Sequence, residues 1–216
     1  MKMHMKRFYK ERVAVADFMK RLYDRQLTTA SGGNISLRVS DDEFCITPSS
    51  LDKGSLTAES IAVVKFDGTN LTPELKLSIE SEMHRQILLK RPDLHAVVHA
   101  HPVFASAFAT AQPCVLDSRL IAETYFILGE IVNVPYFIMG SKELADAVSE
   151  VVVHNTAVLL ENHGALCAAK DLLHAFDGID LMERLAQMTI LKRFIDNSHI
   201  MTESQCKEIT DVFKLR

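Results

Sequence analysis

A chain of 216 residues is long enough to bury a sizeable core in one domain. Hydrophobic residues make up 48% and charged residues 24%, an ordinary globular balance. With 24 basic against 28 acidic residues the net charge is −4, which argues against nucleic-acid or anionic-membrane partners, and no apolar run approaches the roughly 20 residues that span a bilayer.

Residues 8–26 carry Val15, Phe18, Met19 and Leu22 at i, i+3, i+4 and i+7, the stripe of an amphipathic helix. TTASGGNISLRV follows as a polar turn opening into alternating strand residues. EFCITPSS (43–50) and AVVKFDG (62–68) read as strands closed by turn residues. SIESEMHRQILLKR (78–91) is predicted helical and stops before Pro92. HAVVHAH is a strand, and a helix is expected near 118–128 between Ser118 and Gly129. Ser141 opens another over 141–152. TAVLLENHGALCAA (156–169) reads as strand, turn, strand, and a long apolar helix runs over 171–196, covered on most sides. Without repeats or long linkers, this mixture predicts one domain with a mixed sheet between helices.

The basic start MKMHMKR runs into FYKERVA rather than an apolar core, and so reads as no secretion signal. Cys45, Cys114, Cys167 and Cys206 are scattered without a CxxC pair, as expected of reduced packing thiols in a cytoplasmic protein.

Within VVHAHPVF, His99 and His101 share one strand face, about 6.6 Å apart along it, while His95 lies about 13 Å from His99 and is too far to join them. Two imidazoles so placed can meet one metal ion at about 2.0–2.1 Å, but need a third ligand. His163, in ENHGAL, stands at a turn that Gly164 allows to be tight. Three neutral histidines leave a metal its full charge and an open position, which suits Lewis-acid chemistry. Glu80 opens the predicted helix with His84 one turn on, but Glu82 satisfies the same helix-start preference, and the pattern does not separate them. SGGNIS and the helix start at Ser78 offer free amides of the kind that hold anions.

Taken together, SGGNIS, SIESEMHRQILLKRPDLHAVVHAHP and LLENHGAL resemble the class II aldolase and adducin head-domain family, closest to its fuculose-1-phosphate aldolase branch, over about residues 8–196, with 197–216 unassigned. The resemblance implies a three-layer α/β/α fold with a mixed, mostly antiparallel sheet, and a homotetramer with active sites between subunits. It implies that His99, His101 and His163 hold zinc (Mn, Fe or Co being the other metals such ligands accept), and that Glu80, rather than Glu82, is the catalytic carboxylate. Gly33, Asn34, Ser49, Ser50 and Ser78 match the phosphate site. The implied reaction is reversible aldol cleavage of a sugar phosphate to dihydroxyacetone phosphate and an aldehyde.

The chain departs from the pattern in three places, one being that the tyrosine expected after VLDSRL comes a few residues late, at Tyr125. Ile79 stands where a second serine precedes the glutamate, and the tail after Asp196 has no tyrosine. Tyr125 and Glu123 are the nearest acid/base candidates. A methylthioribulose-1-phosphate dehydratase-like lyase with the same metal cage is the alternative reaction. A non-catalytic adducin-like module would be expected to lose the histidines that this chain keeps.

Overall fold

Alternate side chains of β4 (Ala96–Ala100) go to opposite sides of its sheet: Ala96, Val98 and Ala100 enter one buried cluster and Val97 another. The computed structural model, which describes residues 7–111, 113 and 116–214, repeats this division across seven strands. They are β1 (Asn34–Arg38), β2 (Glu43–Ile46), β3 (Ala62–Lys65), β4, β5 (Ile131–Val134), β6 (Ala157–Leu160) and β7 (Gly164–Ala169), in the order β3-β2-β1-β4-β7-β6-β5. Every pairing is antiparallel except β5 with β6.

Helices cover both faces. On one side α1 (Tyr9–Asp24) brings Val15, Met19 and Leu22, and α6 (Leu172–Leu191) brings Phe176, Ile179 and Met182. On the other, α2 (Ser81–Lys90) and α5 (Lys142–Val152) bring Met83, Ile87, Leu144 and Val148. Both α5 and α6 start on side-chain caps: Ser141 Oγ accepts from the Leu144 amide, and Asp171 from the His174 amide. Three layers around a mostly antiparallel sheet match the expectation. Among the described residues, no helix is long and apolar enough to cross a membrane.

The boundaries differ in informative ways. The predicted helix at 118–128 is broken. Asp117 caps a 3-10 turn at Ser118–Leu120, Ile121 is extended, and α4 is only Ala122–Leu128. The Thr124 hydroxyl donates back to the Ser118 and Ile121 carbonyls, tying the two pieces together. The predicted helix at 78–91 starts at Ser81, leaving Ser78 to Glu80 in the preceding turn. The last helix ends at Leu191 in a 3-10 turn. Three elements lie outside the sequence expectations: α3 (Val103–Phe108), the parallel strand β5, and α7 (Glu203–Lys214) in the unassigned tail.

Two features of the core carry measurable consequences. A Cβ on Gly178 of α6 would lie 2.2 Å from Cys167 Sγ on β7, so helix and sheet meet here because the side chain is missing. Gly178→Ala is expected to destabilise the protein by about 1–3 kcal/mol through overpacking, read from a denaturant midpoint shift. The thiols are buried, and burial pushes Cys45 and Cys167 up to about 12. Only the thiolate is nucleophilic, so both should resist a thiol reagent at pH 8 in the folded protein and react after unfolding. Cys114 lies outside the described residues.

Candidate metal centre

Antiparallel register decides which side chains meet. Asn34 pairs with His99 and Ser36 with Val97 across β1 and β4, and Leu166 of β7 stands on the other side of His99. Directly opposed residues share a face. Val97 and Leu166 belong to the cluster under α2 and α5, so Asn34, Ser36 and His99 face that layer too. The first turn of α2 lies over them.

His99 is fully buried, His101 sits one residue past the end of β4, and His163 closes the turn between β6 and β7. Their candidate ligand nitrogens all lie within 4.8 Å of one another. His99 Nδ1 lies 3.0 Å from the Ala165 carbonyl, to which it must donate. That leaves the lone pair of Nε2 turned inward, 3.1 Å from His101 Nε2. Burial pushes His101 down to about 3, with His99 and His163 adding to it and Glu80 opposing. His163 is held at about 4 by burial and His99, again against Glu80. Neutral imidazoles with converging lone pairs fit a divalent transition-metal ion.

Glycines make room for this cluster. A Cβ on Gly32 would meet His101 Nδ1 at 2.7 Å. One on Gly164 would meet the Ala100 carbonyl at 2.6 Å and His101 Cδ2 at 2.7 Å. Gly33 has φ +68°, and a side chain there would also strike the His99 carbonyl at 2.8 Å. Beyond β4, the Glu183 carboxylate accepts from the Phe104 and Ala105 amides and anchors the start of α3, just after the histidine pair.

Glu80 occupies the N-cap position of α2 and is 4% exposed. Its Oε1 lies 3.3 Å from His163 Nε2, and its Oε2 3.4 Å from His99 Nε2. Asn34 Nδ2 donates to Oε2 at 2.7 Å, while Oε1 is buried without a hydrogen-bond partner. Burial pushes the carboxyl up, but His99, the Asn34 hydrogen bond, His163 and His84 outweigh it and hold Glu80 below the usual carboxylate range. Glu82 points elsewhere, to Arg85 and Gln86. Of the two glutamates that the pattern leaves open, Glu80 is the one that lies against the histidines.

The expected phosphate residues gather beside Glu80. A bridge between Pro48 and Leu77 and a bond from the Ser49 amide to the Lys76 carbonyl bring the Ser49–Ser50 turn to the segment that holds Ser78. Ser78 Oγ accepts from Asn34 Nδ2 at 3.1 Å and from the Glu80 amide at 3.3 Å. The carboxamide of Asn34 is therefore committed to Ser78 and Glu80. Tyr125 and Glu123 stand apart on α4: the Tyr125 hydroxyl lies 3.3 Å from Thr210 Oγ1 on α7, and Glu123 is exposed.

Sequence reasoning missed three buried residues here. Lys53 donates from Nζ to the Pro48 carbonyl at 2.6 Å, and its amide bonds the Ala30 carbonyl, clamping the two loops together. Burial pulls its ammonium down to about 8. In sequence, DKG looks like a surface turn, and nothing marks its lysine as buried. Ser36 and His84 are the others. In the sequence His84 marks only the helical turn after Glu80, and Ser36 looks like any small strand residue.

Residues 13–190 match the family model described as the Class II Aldolase and Adducin N-terminal domain. The chain belongs to this family. An L-fuculose phosphate aldolase of Methanococcus maripaludis is 34% identical over 173 residues, covering 79% of this chain and 91% of that protein. A 5-deoxy-D-ribulose 1-phosphate aldolase of Bacillus thuringiensis is 31% identical over 209 residues, 95% of this chain and 96% of the relative. A 3-oxo-tetronate 4-phosphate decarboxylase of Haemophilus influenzae is 32% identical over 173 residues, 77% and 80% of the two chains. The solved structure of an L-fuculose 1-phosphate aldolase superposes with a TM-score of 0.83 at 26% identity, covering 94% of this chain and 95% of that one. The chain is thus an enzyme, a lyase of the class II aldolase family. Class II aldolases use a divalent metal, and the three histidines could hold one.

Proposed function

We propose that this enzyme joins and cleaves the bond between dihydroxyacetone phosphate and an aldehyde, with a metal ion held by His99, His101 and His163. Zinc is the default ion for three neutral imidazoles. The observation that carries the reading is Glu80, a buried carboxylate against two of the three histidines with its Oε1 free of hydrogen bonds. A base beside a cation site is what proton removal next to a ketone requires. A metal ion bound there supplies Lewis-acid polarisation of the ketone and the neighbouring hydroxyl.

In the direction of condensation, the turn amides around Gly33 and the serines Ser49, Ser50 and Ser78 hold the donor's phosphate in register. Glu80 Oε1 takes a proton from the carbon beside the ketone, leaving its electron pair in an enediolate. That carbon bonds to the aldehyde carbon, whose oxygen then needs a proton. Tyr125 and Glu123 are the candidates to supply it, within a homotetramer. Assembly is supported by Ile79, Tyr136, Ile138 and Met139, large apolar residues left exposed, with Gly140 packed on Ile79. Cleavage runs the same steps backwards. The reduced-thiol reading fits a cytoplasmic enzyme.

One observation favours a second reading. The tail after Asp196 has no tyrosine to serve an aldehyde oxygen, and decarboxylation needs no such acid. Losing CO2 from a 3-oxo acid breaks the bond to the carboxylate and leaves its electrons in an enolate beside the ketone, whose carbon then takes a proton that Glu80 first accepts from solvent and passes on. The donor half-reaction is then the same.

The test is to incubate metal-loaded protein with fuculose 1-phosphate, 5-deoxyribulose 1-phosphate and 3-oxo-tetronate 4-phosphate, following dihydroxyacetone phosphate and CO2. Triose phosphate with an aldehyde supports the first reading, and triose phosphate with CO2 the second. No triose phosphate from any of the three would sink both.

A further inference from the structure

We infer that His84 is a positioning residue for Glu80, acting through Asn34, with Ser36 fixing its tautomer. The inference rests on the reading of Glu80 as the proton-moving base.

Four buried side chains form one line. Ser36 Oγ lies 2.7 Å from His84 Nδ1, His84 Nε2 lies 2.5 Å from Asn34 Oδ1, and Asn34 Nδ2 lies 2.7 Å from Glu80 Oε2. Ser36 and His84 are fully buried, and Asn34 is 4% exposed, so water cannot substitute for a missing partner. The line crosses from β1 to α2 because Asn34 and Ser36, two residues apart, share the face on which α2 lies.

Donor and acceptor accounting gives the line one direction. The Asn34 NH2 group faces Glu80 Oε2 at 2.7 Å, and its second hydrogen goes to Ser78 Oγ at 3.1 Å. Asn34 Oδ1 therefore faces His84 and needs a donor. His84 must carry its proton on Nε2, which leaves Nδ1 as an acceptor, and the Ser36 hydroxyl must donate to it. Burial, helped by His99 and opposed by Glu80, pushes His84 down to about 3, which keeps it neutral with a single N–H. Every hydrogen bond points toward the carboxylate, the arrangement in which each bond strengthens the next.

The line matters for what it leaves open. Asn34 donates to Oε2, whereas Oε1 accepts no hydrogen bond and stands 3.3 Å from His163 Nε2. The rotation of the carboxylate is thereby fixed with a free oxygen against the histidine cluster. If His84 ceased to donate, Asn34 Oδ1 would be orphaned in the interior, the amide could rotate, and a lone pair would turn on Glu80.

The test has two arms. In 15N-histidine NMR of the metal-loaded protein, the His84 signal, identified by its loss in His84→Gln, should report the Nε2–H tautomer. An Nδ1–H tautomer would overturn the inference with no reference to activity. In the second arm, deuterium exchange into dihydroxyacetone phosphate is measured for variants with metal content checked. Loss of an outer partner typically costs about 10–100-fold, and His84→Leu should lose rate in that range with KM for dihydroxyacetone phosphate nearly unchanged. His84→Gln, which restores an N–H donor, should recover most of it. In an Asn34→Ala background, His84→Leu should add little, because the two act as one unit. Equal losses in His84→Leu and His84→Gln, or fully additive losses with Asn34→Ala, would mean that His84 only fills space. Absence of exchange in the wild-type protein is a different failure, since it removes the function of Glu80 itself.

Discussion

Glu80→Gln is expected to keep the bound metal and lose turnover by about 10²–10⁴-fold, the usual worth of a positioned general acid/base. The substitution preserves shape, and a side-chain oxygen can still accept from Asn34 Nδ2, which bonds Glu80 Oε2 at 2.7 Å. The three histidines are untouched, so the metal should stay. What disappears is the ability of Oε1 to take a proton, and that oxygen is the one that accepts no hydrogen bond. Metal analysis beside a rate measurement checks both halves, and unchanged turnover would remove Glu80 from the chemistry.

His99→Ala should act at the other end of the site by releasing the metal. His99 is fully buried, held in its tautomer by the Ala165 carbonyl, and in ring contact with both other histidines. One ligand of three is about a third of the roughly 10–16 kcal/mol that a complete zinc site provides, or a weakening on the order of 10³-fold. The variant also leaves a void beneath α2, so some loss of stability should accompany it. Metal titration with a competing chelator measures the effect. Full occupancy in the variant would rule out the three-histidine cage.

What could be read from the sequence followed local rules. His99 and His101 share a face because strand periodicity requires it, and Glu80 precedes His84 by one helical turn. The turn before Gly164 made His163 a candidate third ligand, and the family resemblance assigned it to the pair. Elements whose signals are weak or conflicting escaped. β5 is only IVNV, with one fully buried residue, and its parallel pairing depends on β6. α3 begins directly after Pro102, and α7 is a charged helix whose apolar residues pack on α4, as Phe213 does on Phe126. At 118–128 the periodicity continues, but extended Ile121 divides a 3-10 turn from α4, and the Thr124 hydroxyl bonds back to Ser118 and Ile121 across the break. The line from Ser36 to Glu80 was invisible for a tertiary reason: its members are up to 50 residues apart for a single contact, and nothing in NISLR marks its serine as a donor. Asn34, matched to the phosphate turn by resemblance, has its carboxamide bonded to Ser78, Glu80 and His84.

The most direct measurement follows deuterium entering dihydroxyacetone phosphate in heavy water by NMR, with metal-loaded and chelated protein compared. It needs no knowledge of the aldehyde or acid partner, because both readings share this half-reaction. Stereospecific exchange that requires the metal and disappears in Glu80→Gln is the expected result. A fully metal-loaded protein that exchanges no proton would contradict the assignment of Glu80 and the three histidines to enediolate chemistry.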